Sequence, residues 1–103
     1  MNVNWTLPAL QDLDDIEEFI ALDDYNAAVD FVDQLIDLGD SLGDPKTAQK
    51  GTPVSWSNDQ SVRELYYKGY TIVYELRDPE NIDIHEVYNQ KRIHLRYGFR
   101  DHH

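Results

Sequence analysis

Arg63, Tyr74, Lys91, Arg92, Arg96 and Arg100 are the side chains of this sequence best suited to meet an anion or an acidic partner. All six lie in its C-terminal half. A guanidinium offers a planar fork of N–H donors that matches carboxylates and phosphates, and a tyrosine adds a ring face and a hydroxyl. Their surroundings sharpen the contrast. Residues 1–60 carry 13 acids against 2 bases, residues 61–103 carry 7 of each, and residues 91–103 set four bases against Asp101 alone. The acidic half keeps the molecule soluble and repels a nucleic-acid backbone, so a phosphate or acidic partner is left with the basic end. Each candidate also has a plainer reading. Arg63 beside Tyr74 also reads as a structural cation that stacks on the ring and pairs with a helix carboxylate, and the basic end as a solvated tail.

Other constellations carry less. His85, His94, His102 and His103 lack convincing metal spacing, and His85 sits between Asp83 and Glu86 on a strand, where alternation separates neighbouring ligands. Asp14, Asp15, Glu17 and Glu18 spread over a solvent face instead of converging on a cleft. No glycine-rich phosphate loop or nucleophile motif is present, so no cofactor is implied. Without cysteine the chain forms neither disulfides nor thiolate zinc sites. The first ten residues do not read as a signal peptide, and no apolar run approaches the roughly 20 residues of a membrane span. A cytoplasmic protein without membrane contact is the expectation.

The elements that must position these residues follow from periodicity. Val3 and Trp5 alternate in a short first strand. Thr6 and Pro8 signal a helix start, and Leu10, Leu13, Ile16, Phe19 and Ile20 recur at helical spacing to about Leu22, with Asp12, Asp14, Asp15, Glu17 and Glu18 facing water. Asp23 or Asp24 caps a second helix whose apolar stripe is Ala28, Phe31, Val32, Leu35, Leu38 and Leu42. Asp30, Asp33, Asp37 and Asp40 line its other side, and Gly43 is a candidate C-cap. Residues 44–60 read as a loop anchored by Val54 and Trp56. Then the period changes to two. Ser61–Tyr67 and Tyr70–Arg77 form a hairpin around Lys68-Gly69, which sets Tyr67 opposite Tyr70, Leu65 opposite Ile72 and Arg63 opposite Tyr74. Asp78–Asn81 turns into a third strand, Ile82–Asn89. The expected architecture is α+β in a single domain, 1–103, with 91–103 as its basic tail. An N-terminal strand and an antiparallel two-helix hairpin pack on a mainly antiparallel sheet of three to four strands.

The order of these pieces resembles the RelE/ParE toxin superfamily. The resemblance rests on Val62-Arg63-Glu64-Leu65, Tyr70-Thr71-Ile72-Val73-Tyr74, Ile82-Asp83-Ile84-His85-Glu86-Val87 and Lys91-Arg92, together with the helix at Ala9–Ile20 and Ala27-Ala28 in the next. It spans roughly residues 3–92. It implies a type II toxin that acts on a cellular target and is neutralised by a cognate antitoxin. RelE-like members are ribosome-dependent messenger ribonucleases, whereas ParE-like members inhibit DNA gyrase and are not known to need catalytic residues. Thr71 stands where a RelE-like strand carries a base, and Glu64 where another is expected, so the resemblance favours the ParE-like branch. Arg63, Tyr74, Lys91, Arg92 and Arg96 are then the residues expected to meet target or antitoxin. On the RelE-like alternative, Arg92 and Tyr97 would be the catalytic pair acting on messenger RNA at the ribosome. A third alternative is an interaction module that keeps the fold without toxicity, which the unusual acidity suggests.

Overall fold

The computed structural model describes residues 1–92, except for the side chain of Arg92. Its elements run β1 (Asn2–Trp5), α1 (Leu7–Ala21), α2 (Tyr25–Ser41), α3 (Pro45–Ala48), β2 (Thr52–Pro53), β3 (Val62–Tyr67), β4 (Tyr70–Asp78) and β5 (Asn81–Asn89), then a 3₁₀ turn at Gln90–Arg92. Local chemistry explains the helix starts. Thr6 Oγ1 accepts from the Ala9 amide at 3.4 Å, with Pro8 in the first turn. The Asp24 carboxylate accepts from the Ala27 amide at 3.1 Å. At the other end of α2 the expectation shifts by one residue. Leu42, in right-handed conformation, takes the C-cap in place of Gly43, and the Gly43 carbonyl receives the N-terminal ammonium at 2.9 Å.

Among the described residues the sheet has five strands in the order β1-β5-β4-β3-β2, not three to four. The additional strand, β2, is two residues long and falls inside the segment read as loop. It pairs Thr52 with Glu64 and Pro53 with Arg63. A strand that short, with proline at a sheet edge, leaves no alternation to read. The same segment begins with a turn of helix, α3, capped by Asp44 accepting from the Lys46 amide at 2.9 Å. Val54 anchors the segment in a small buried cluster with Val62, Val73 and Tyr88. Trp56, expected beside it as a second anchor, is 68% exposed.

The β3–β4 hairpin has the expected register: Tyr67 pairs with Tyr70, Leu65 with Ile72 and Arg63 with Tyr74. Lys68 and Gly69 both have positive φ, 47° and 85°, which matches the right-handed twist of the strands they join. Nothing lies within 4 Å of a Cβ built on Gly69, so backbone conformation alone decides substitutions there. Gly69→Ala is expected to lower stability by about 1 kcal/mol in denaturant titration.

The helices cover one face of the sheet. Leu13, Ile16, Val32, Leu35 and Leu42 meet Ile72, Tyr74, Ile82, Ile84 and Val87 in the main core. Each fully buried aliphatic side chain contributes roughly 1.5–3 kcal/mol. Leu10 and Phe19, assigned to that stripe from spacing, stay 44% and 49% exposed. Asp12 departs in the opposite direction. It was expected in water, but it is buried on α1, and its Oδ2 accepts from the Val87 amide of β5 at 2.9 Å. The contact lies beside an irregularity in the sheet: Val73 pairs with Glu86 and Tyr74 with Ile84, so His85 is an extra residue in β5. Such a bulge bends the strand and disrupts the ladder locally. A carboxylate from the helix meets the backbone at that point.

Candidate functional site

Arg63 and Tyr74 come together as the register requires, on the covered side of the sheet, and their polar atoms hold the segment between α2 and β3. The Tyr74 hydroxyl donates to the Ala48 carbonyl at 2.7 Å and accepts from the Gly51 amide at 3.1 Å. Arg63 donates from one terminal nitrogen to the Gly51 carbonyl at 2.9 Å and, more weakly, to that of Gln49 at 3.4 Å. Its Nε is buried with no acceptor among the described residues. Gly51 is required by this arrangement, since a Cβ there would lie 2.1 Å from the Tyr74 hydroxyl oxygen. Burial pushes the Tyr74 hydroxyl above its ordinary pKa, although the Gly51 amide and the Arg63 charge act in the other direction. Arg63 therefore pairs with backbone carbonyls, where the plainer reading expected a helix carboxylate.

The opposite face of the sheet holds the buried Val62, Val73 and Tyr88 beside buried Thr71, and its charged side chains are mostly acidic. Glu64 on β3, Glu75 on β4, and Asp83 and Glu86 on β5 stand there with Arg77. Arg77 is engaged, its Nε lying 2.8 Å from Asp83 Oδ2. Tyr66 donates to Glu64 at 2.8 Å, which raises the tyrosine pKa. A cavity of about 550 Å³ opens on this face, with Val62 and Val73, Trp56, and the polar side chains of Glu75, His85 and Glu86 in its walls. His85 Nε2 lies 2.8 Å from Glu75 Oε1. Sequence reading missed this grouping because it weighed His85 against its neighbour in the chain. Asp83 and His85 are two apart on one strand, and Glu75 pairs with Asp83 from the next. The Asp-x-His spacing was the available signal.

The helical hairpin presents a different surface. Leu7 and Leu10 at the start of α1, and Phe19, Leu22 and Tyr25 around its turn into α2, are exposed large apolar side chains. Asp30, Asp33, Asp37 and Asp40 are exposed along α2. Asp40 accepts from the Trp5 indole at 2.9 Å, which ties β1 to the helix. Lys91 is exposed in the 3₁₀ turn that follows β5, its amide donating to Asn89 Oδ1 at 2.8 Å. The Arg92 side chain, and Arg96, Tyr97 and Arg100, lie outside the described residues. No helix among the described residues is long and apolar enough to cross a membrane.

A two-helix hairpin laid across a five-stranded sheet, with its first strand parallel to its last, defines a small α+β class shared by solved structures. One of them, titled "Chromosomal ParDE TA system from P. aeruginosa", superposes with a TM-score of 0.71 at 21% identity, over 86% of this chain and 95% of that one. A family model described as "ParE toxin of type II toxin-antitoxin system, parDE" matches residues 3–94. The chain belongs to the ParE toxin family of type II toxin–antitoxin systems. No curated protein sequence matches it.

Proposed function

We propose that this protein is the toxin of a type II pair, that it acts by binding DNA gyrase, and that a cognate antitoxin neutralises it. The observation that carries the binding mode is the charge on the sheet face away from the helices. Glu64, Glu75, Asp83 and Glu86 stand there against Arg77, which is itself paired with Asp83. Cleavage of an RNA phosphodiester needs cations to stabilise charge developing on phosphorus and a base near the 2′-hydroxyl. A face with this charge repels the RNA backbone, so a binding toxin fits it better than a messenger ribonuclease.

Two surfaces divide the work. The exposed apolar residues around the turn from α1 to α2, Phe19, Leu22 and Tyr25, suit the apolar side of an amphipathic antitoxin segment. Lys91, with Arg92 and Arg96 following in sequence, supplies the cations for the target. Arg63 and Tyr74 support these contacts indirectly, through the segment they hold. A gyrase target places the protein in the cytoplasm.

Purified protein is expected to block negative supercoiling of relaxed plasmid by gyrase, and Lys91→Ala combined with Arg92→Ala to weaken the block about tenfold. Unchanged supercoiling at saturating protein would reject the reading. Cutting of ribosome-bound messenger, lost on Arg92→Ala or Tyr97→Phe, would replace it with the ribonuclease alternative.

A further inference from the structure

Glu75, Asp83 and His85 each offer one ligand atom, and these atoms lie within 4.8 Å of one another. We propose that these three side chains form a divalent transition-metal site on the sheet face away from the helices, at the β5 bulge. The imidazole separates the set from an ordinary acidic patch. One neutral nitrogen with carboxylate oxygens is a borderline donor set, suited to zinc and its first-row neighbours more than to calcium or magnesium, which favour all-oxygen shells. The 2.8 Å between His85 Nε2 and Glu75 Oε1 is the spacing of neighbouring ligands in an octahedral shell, and a tetrahedral zinc would part them to about 3.3 Å.

The surroundings support the same assignment. Asp83 is oriented by two outer contacts, Arg77 Nε on Oδ2 at 2.8 Å and Asn4 Nδ2 on Oδ1 at 3.2 Å. Ligating carboxylates are commonly held in this way by hydrogen bonds behind them. Arg77 brings a positive charge close, which lowers affinity. Glu75, Asp83 and Glu86 outweigh it, and with neutral imidazole the group retains a double negative charge to match a divalent ion. The cavity walled by Glu75, His85 and Glu86 leaves room for water to complete the shell. The bulge matters here as well, because it puts His85 and Glu86 next to each other on this face. The site is independent of the gyrase reading.

The test is calorimetric titration of the full chain with zinc chloride near pH 7.5. His94, His102 and His103 are replaced by alanine so that the remaining imidazole is His85. The expected result is saturable binding of one ion per chain. His85→Ala and Glu75→Gln, each checked for an unchanged thermal midpoint without zinc, should weaken it by about tenfold or more. Binding should also weaken as pH falls and the imidazole protonates, and zinc should shift the His85 ring resonances in NMR spectra. If either variant is destabilised, those ring shifts in the parent protein decide. No saturable binding, or binding that survives His85→Ala with His85 resonances unmoved, would overturn the site and leave His85–Glu75 as a surface ion pair.

Discussion

Tyr74→Ala is expected to lower the free energy of unfolding by about 3–5 kcal/mol, the range for truncating a large buried aromatic side chain. The ring is fully buried between the helices and the sheet. Its hydroxyl is the shared partner of the Ala48 carbonyl and the Gly51 amide. Tyr74→Phe separates the two contributions. It keeps the ring and removes the bridge, at a cost of about 1–3 kcal/mol, since the buried carbonyl and amide lose an internal partner. Hydrogen exchange at Gly51 should accelerate in the phenylalanine variant while amides of α1 remain protected.

The same hydroxyl gives a pH signature. Burial raises its pKa in the folded protein, whereas the unfolded chain releases the proton near the ordinary value of about 10. Above that value the unfolded state holds fewer protons than the folded state, so stability falls as pH rises. Below it, the contribution of Tyr74 is fully present. The stability difference between the native protein and Tyr74→Phe should therefore be constant through neutral pH and shrink above about pH 10. A difference that grew there would mean that the folded protein favours the phenolate.

Asp12→Ala should cost about 1.5–3 kcal/mol, the range for a hydrogen bond to a charged group. The carboxylate crosses from α1 to the Val87 amide beside the bulge, 75 residues away in sequence. Its loss removes an electrostatic tie between the helical layer and the sheet. Asp12→Asn keeps an acceptor oxygen without the charge and should fall between the two. Equal stability of all three proteins in urea would show that the bulge holds without the helix.

The contrast between these two residues explains which parts of the fold could be read in advance. Tyr74 was placed opposite Arg63 because Lys68-Gly69 is a two-residue turn, and a turn of that length sets the pairing of every residue behind it. Thr6, and Asp24 as one of two adjacent candidates, were visible as caps for a similar reason, since each needs only an amide three residues on. Asp12 was assigned to water because its acidic neighbours on α1 go there, and nothing within a helical turn reveals a Val87 amide. The bulge at His85 was hidden in the same way. It is a property of the β4–β5 pairing, so the cluster of Glu75, Asp83 and His85 appears only once that register is known. The two residues of β2 carry too short a pattern to read, and their place comes from β3. Family membership was recoverable because it depends on the order of short runs along the chain. The side chains beyond Lys91, on which a target contact would turn, are not among those described.

The parallel pairing of β1 with β5 has a consequence for biosynthesis. Among the described residues, β1 borders β5 and no other strand, with Asn2 aligned to Asn81 and Trp5 to Ile84. A growing chain released as far as Glu80 therefore holds its first strand with no strand to bond. Closing so long a loop is slow, and its entropy is recovered only after the distant contacts form. The five strands among the described residues are complete only once Asn81–Asn89 has emerged, so a translating ribosome carries the first eighty residues with their sheet unfinished.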